Sequence, residues 1–204
     1  MTYRFKHDWF SQNIPNLRNL FNNYPVTNKL NILEIGSLEG RSTTWFLDNI
    51  PGSEISCIDT WSGGVDHDQN NPEIDFREIE QNFQYNMSLH AAGRVSVYKG
   101  RSFDVLRSLV CEPVFDMVFV DGSHTAIDVN ADLVLSWPLL KSNALIYCDD
   151  YYWGFNQLDR DPRNNLDPVY DSPKLGIDSF VNTYRNKIRP VIGLGNNAAV
   201  FVKI

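Results

Sequence analysis

LEIGSLEGRST, residues 33–43, runs from an apolar strand through a turn holding Gly36 and Gly40 into a hydroxyl-rich helix start. The spacing E-x-G-x-x-x-G after a strand marks a strand–turn–helix unit. Gly36 permits a sharp turn with the backbone close to a ligand, and Gly40 lets the following helix pack near the sheet. Ser42 falls in the first helical turn, where its hydroxyl and the unbonded N–H groups can hold a carboxylate. Two glycines alone equally suit a plain tight turn. Asp59 shifts the balance, because it ends the next apolar run 19 residues after Gly40. An acid there is placed to accept both ribose hydroxyls of a nucleoside, its other use being to cap a helix. The loop is neither G-x-G-x-x-G nor G-x-x-x-x-G-K-[ST], so neither a dinucleotide nor a nucleoside triphosphate is favoured. A nucleoside with a small anionic tail fits better, and S-adenosylmethionine, with its carboxylate, amine and ribose, is such a molecule.

Outward from this loop, short apolar runs alternate with helical or loop segments. Strands are expected at Leu30–Ile35, Glu54–Ile58, Val95–Tyr98, Met117–Val120 and Ala144–Cys148. Such alternation argues for a parallel sheet with helices on both faces. FDMVFVD, residues 115–121, is apolar without alternation, as in a central strand buried on both sides. Pro190–Leu194 and Ala198–Ile204 flank Gly195, Asn196 and Asn197, which reads as a terminal hairpin. The first 29 residues read as helical cover for one end of the sheet. Trp9, Phe10, Ile14, Leu17, Leu20 and Phe21 have roughly helical spacing and suit packing, with a lid over the substrate site as the alternative. Residues 159–173, rich in Asp, Asn and Pro, read as an exposed loop.

The chain of 204 residues is read as one α/β domain, 1–204, with residues 1–29 as cover and 30–204 as core. A net charge of −7 without a Lys/Arg cluster argues against extended nucleic-acid contact. No apolar run is long enough to span a membrane, and MTYRFKHDWF lacks the apolar region of a secretory signal. Cys57, Cys111 and Cys148 form no C-x-x-C pair and read as reduced thiols in a cytoplasmic protein. The chain is left open to pairing with copies of itself.

Three acids fall at strand ends. Asp121 closes the fourth strand, and Asp149 and Asp150 close the fifth. Adjacent strands lie about 4.8 Å apart, so these carboxylates meet at the C-terminal edge, where open α/β sheets bind ligands. Carboxylates so close repel, and a proton or a cation must relieve them. Oxygen donors without a nearby thiolate suit a hard cation, Mg²⁺ or Ca²⁺. Taken singly, Asp121 can cap the next helix and Asp149 or Asp150 can make an Asx turn. His124, three residues beyond Asp121, suits a general base or, more plainly, a solvated first-turn histidine. His67 sits beside Gly63, Gly64 and Asp66 and is a lesser candidate for lining the pocket.

These residues, from about Leu33 to Trp153 with the terminal hairpin, resemble the metal-dependent O-methyltransferases of the catechol type. They resemble still more the branch that methylates macrolide sugars. The resemblance implies a Rossmann-like methyltransferase fold: a mostly parallel seven-stranded sheet with a C-terminal antiparallel hairpin. It implies that Gly36, Ser37 and Ser42 contact the methionine part of S-adenosylmethionine, with Glu34 in the same cofactor-binding set. Asp59 would bind ribose, and Gly100 and Ser102 of KGRSFDVL would bind adenine. Asp121 would serve both metal and cofactor, and Asp149 and Asp150 would complete the metal ligands. His124 stands where catechol enzymes carry a lysine base, as in the sugar branch. Leu38 replaces a common middle glycine, and LLKSNA before the fifth strand lacks a common Gly pair, although Asn143 tolerates the left-handed conformation. The acceptor elements match no catechol enzyme. The expected reaction is methyl transfer to a hydroxyl of a small molecule, with a sugar or other polyol as first choice. Tyr151, Tyr152 and Trp153 are candidates for the floor of the acceptor pocket. The rivals are a nicotinamide-dependent oxidoreductase and a non-catalytic binding protein on the same fold.

Overall fold

The computed structural model describes residues 2–24, 29–64, 74–154, 172–191 and 197–204. A 3-10 turn, Ser11–Asn13, leads into α1 (Ile14–Asn23). There follow β1 (Asn31–Ile35), α2 (Arg41–Asn49), β2 (Glu54–Asp59), α3 (Phe76–Ser88), β3 (Val95–Lys99) and α4 (Ser102–Ser108). Then come β4 (Phe115–Val120), α5 (Ala126–Ser136), β5 (Leu140–Cys148), α6 (Pro173–Tyr184), β6 (Ile188–Pro190) and β7 (Ala199–Lys203). The seven strands form one sheet in the order β3-β2-β1-β4-β5-β7-β6. β1 to β5 pair in parallel, and β7 runs antiparallel to both β5 and β6. The expected fold class is therefore the one observed.

Period-two alternation inside fully apolar strands divides the core into two layers. Ile32, Met117, Phe119, Leu145 and Tyr147 face α1, α2 and α3, where Leu17, Leu20, Phe46 and Phe83 are buried. Leu33, Ile35, Val118, Val120 and Ile146 face α4, α5 and α6, where Leu106, Leu133, Ile177 and Phe180 are buried. The strand order reverses between β1 and β4, which start crossovers on opposite faces. Their C-terminal ends therefore open the crevice that binds ligands in such sheets.

Three expectations need correction. The N-terminal segment covers a face of the sheet as well as the C-terminal ends of its strands. Its Phe10 ring stands 6.1 Å from Phe119 of β4 and 6.4 Å from Phe46 of α2. The crossover helices α2 and α3 serve the β1–β2–β3 half of that face, so the strands beyond β1 need this extra cover. The turn expected before the fifth strand lies within β5, as a shift in the β4–β5 register between Phe115 and Met117, and Asn143 there has φ +65°. The penultimate strand starts earlier than expected, at Ile188–Pro190, with Val191 N–H still donating to the Val200 carbonyl. Residues 192–196, the 159–171 part of the exposed loop, Asp66 and His67 lie outside the described residues. Among the described residues, no helix is long and apolar enough to cross a membrane.

Candidate functional site

The turn after β1 is held from three sides. Below it, Glu34 is wholly buried on the α2 side of β1, and its carboxylate accepts from Ser37 Oγ at 2.6 Å, Thr43 Oγ1 at 2.5 Å and Cys57 Sγ at 3.3 Å. Burial raises the Glu34 carboxyl, and these hydroxyls work against that rise. Beside it, Asp59 Oδ2 accepts the Ser37 and Leu38 N–H groups, both at 2.8 Å, and Asp59 Oδ1 accepts the Trp61 N–H at 2.8 Å. The Trp61 indole donates to the Leu38 carbonyl at 2.8 Å. Leu38 has φ +47°, a conformation that costs a non-glycine residue roughly 1–3 kcal/mol. The Asp59 and Trp61 bonds hold it there. A carboxylate has about four lone-pair sites, so the three amides leave Asp59 room for about one further donor.

On its third side the turn meets β4. Gly36 has φ +87°, and a Cβ built on it would lie 1.9 Å from the Asp121 carbonyl oxygen and 2.7 Å from the Gly122 Cα. The Asp121–Gly122 backbone thus comes close enough by itself to require glycine here. Gly40, at φ +78°, is pressed against Met87 and Phe83 of α3, not against the sheet. Ser42 is buried in the first turn of α2, whose opening amides have no side-chain cap. Gly100 N–H donates to the Asp59 carbonyl at 2.9 Å, which ties the end of β3 to the end of β2, and Ser102 opens α4.

At the ends of β4 and β5 the acids converge. Asp121, His124 and Asp150 each present a ligand atom, and these atoms lie within 4.8 Å of one another. His124 Nε2 is 3.1 Å from Asp150 Oδ2, and its ring stacks on Trp153 with centroids 4.3 Å apart and planes 18° apart. Asp150 Oδ1 accepts from Asn197 Nδ2 at 2.7 Å, and Asp150 has φ +52°. Asp149 stands beside this group. One of its oxygens accepts from Asn13 Nδ2 and the other from the Asp150 N–H at 2.8 Å. Burial raises the Asp121 carboxyl well above the usual range, and the charges of Asp149 and Asp150 add to it. Asp149 is pushed up to about 7, by burial and then by Asp150.

Thr125, not Asp121, caps α5, accepting the Asp128 N–H at 3.3 Å, and Asp75 caps α3. Of the aromatic trio, Trp153 stacks on His124. Tyr151 bonds to Asp178 and Lys174, and Tyr152 is exposed. The sequence reading missed Asn13, Asn197 and Glu39, whose partners are distant in the chain.

A protein-family model described as a methyltransferase domain matches residues 33–151. No protein with a curated description matches the sequence. Among solved structures, the O-methyltransferase from Bacillus cereus in complex with S-adenosylhomocysteine is 20% identical with a TM-score of 0.59, covering 98% of this chain and 84% of that one. TomG from Streptomyces achromogenes, an O-methyltransferase of tomaymycin synthesis in complex with S-adenosylmethionine, is 19% identical with a TM-score of 0.60, covering 95% and 80%. MycE, a methyltransferase of the mycinamycin pathway in complex with Mg and S-adenosylhomocysteine, is 18% identical with a TM-score of 0.57, covering 97% of this chain but 51% of that one. At these identities the likeness is one of fold.

Proposed function

The chain belongs to the methyltransferase-domain family, and from that premise we propose that it methylates a hydroxyl of a small molecule with the help of a divalent cation. Membership sets aside the nicotinamide reading. The observation that carries the proposal is the cluster of Asp121, His124 and Asp150, with Asp149 beside it, against the glycine turn at the sheet's C-terminal edge.

S-adenosylmethionine supplies the methyl group, and bound SAM or SAH in TomG and MycE supports that choice. The glycine turn, the opening amides of α2 and Asp59 would hold its methionine part and ribose. The donor set fits a hard cation: crowded carboxylates, two of them with raised pKa, and no thiolate among them. Asp121, Asp149 and Asp150 would hold it, and Mg in MycE supports magnesium. When bound, such a cation polarises an acceptor oxygen and lowers its pKa. As that oxygen displaces the sulfonium sulfur, the C–S electron pair stays with sulfur and the acceptor proton passes to His124. The imidazolium so formed sits beside the Asp150 carboxylate, which stabilises it. Trp153 fixes the ring's plane. A sugar or other polyol is the favoured acceptor, because a weakly acidic hydroxyl needs both polarisation and a base.

Sugars, catechols and amines screened with labelled S-adenosylmethionine will test this. Transfer to oxygen is expected, and it should stop in excess EDTA and return with Mg²⁺. Full transfer in EDTA would remove the metal, and methylation of nitrogen alone would remove the O-methyltransferase assignment. Asp59→Ala should weaken S-adenosylhomocysteine binding at least tenfold in calorimetry, since hydrogen bonds to a charged group are worth roughly 1.5–3 kcal/mol. Equal affinity in parent and variant would take Asp59 out of the cofactor site.

A further inference from the structure

The N-terminal segment is tied to both halves of the site. Arg4 exchanges hydrogen bonds with Asn86 of α3. The N–H groups of Lys6 and His7 donate to Glu39 Oε2, each at 2.9 Å, and Asn82 Nδ2 donates to Glu39 Oε1 at 2.8 Å. Glu39 lies in the glycine turn itself and is only 1% exposed. The Arg41 guanidinium donates to the His7 carbonyl at 3.3 Å. Further along, Phe10 is packed among Phe46 and Phe119, and Asn13 then donates its amide to Asp149. In the strand order the segment crosses from the end of β1, over β4, to the end of β5.

Asn13 is 2% exposed, and burying an amide costs stability unless it finds partners. Its side chain is spent on one of the acids at the site. We propose that Asn13 is a positioning residue, one that fixes the direction of the Asp149 carboxylate and so makes the N-terminal segment a working part of the cation site. The proposal rests on the reading of Asp149 as a cation ligand given above. An amide suits this place because it donates without charge. A lysine here would neutralise the acids and displace the cation, and an aspartate would add to the repulsion. Glu39 keeps the segment in register, so that Asn13 reaches the Asp149 oxygen that the Asp150 N–H does not.

The test titrates Mg²⁺ into protein saturated with S-adenosylhomocysteine, and measures kcat and the KM for S-adenosylmethionine on a working acceptor. Asn13→Leu keeps the branching and the number of heavy atoms and removes the donor. Asn13→Ser is too short to reach Asp149 but disturbs the turn less, and is read if the leucine variant fails to fold. Losing the partner that orients a metal ligand weakens metal binding about 10–100-fold. Mg²⁺ affinity and kcat should therefore fall at least tenfold, while the KM for S-adenosylmethionine stays within about twofold. Unchanged Mg²⁺ affinity in a folded variant would overturn the proposal. So would a KM that rises in step with the fall in kcat, since that marks general loosening of the site. A parent protein that binds no Mg²⁺ would instead defeat the cation reading, and this proposal with it.

Discussion

His124→Ala should lower turnover by roughly 10²–10⁴-fold, the range general-base catalysis supplies, and leave cofactor affinity nearly unchanged. The expectation follows from where the ring sits: 3.1 Å from Asp150, stacked on Trp153, and near Asp121 at the sheet edge. A sugar hydroxyl is too weak an acid to give up its proton without help. The same geometry also fits His124 as a cation ligand, because its nitrogen lies within the group of ligand atoms. Calorimetry separates the roles. A base leaves Mg²⁺ affinity intact when it is removed, whereas a ligand takes a large part of that affinity with it. Unchanged turnover would reduce His124 to a helix-terminus residue. A phenolic acceptor, which ionises more readily, should depend on it less.

Gly36→Ala should be strongly destabilising. Alanine at φ +87° costs roughly 1–2 kcal/mol from the left-handed backbone alone. The added Cβ would also overlap the Asp121 carbonyl, and backbone in the middle of a parallel sheet cannot swing aside as a side-chain end can. A total loss of about 3–5 kcal/mol is expected, a large part of the 5–15 kcal/mol that holds a typical domain folded. Gly93→Ala is the matched control, with φ +86° and nothing within 4 Å of its Cβ, and only the backbone cost should appear. Urea midpoints of the two variants decide the matter. Equal losses would mean that the contact with Asp121 is not what requires glycine at position 36.

How much was legible in the sequence depended on the range of the interactions involved. β4 announces itself because a strand buried on both faces leaves an apolar run, Met117–Val120, and β1 and β2 because short, mostly apolar stretches lead into Gly36 and Asp59. The left-handed Asn143 was legible because its residue type carries the conformation, but its place inside β5 was not, since a bulge is defined by the partner strand. Gly36 was recognised as a turn glycine, but its neighbour across the sheet, the Asp121–Gly122 backbone, was not. That neighbour is known only once β1 and β4 are known to be adjacent. Asp121, His124 and Asp150 came together because strand ends in a parallel sheet share one edge. Asn13 could not have been paired with Asp149, which lies 136 residues away, from any local pattern. Nor could Glu39, an acid in the glycine turn, be seen as the anchor for two amides more than thirty residues upstream.

The two outer strands of the sheet bear on how this protein stays in solution. An unpaired strand edge is a template for further strands, from other copies or from misfolded chain. At one end β6 is only three residues long, with exposed Arg189 and with Pro190, which has no N–H to offer. At the other end Lys99 closes β3, half exposed and paired with Glu80 at 2.6 Å, so an incoming strand would meet a solvated charge. β3 is the weaker guard, because Val97 on it is half exposed. Sheet-to-sheet growth is thus discouraged at both ends, and more firmly at β6. Copies of this chain that associate in an orderly way should meet through side chains of the helical layers, and aggregation on heating should begin at β3.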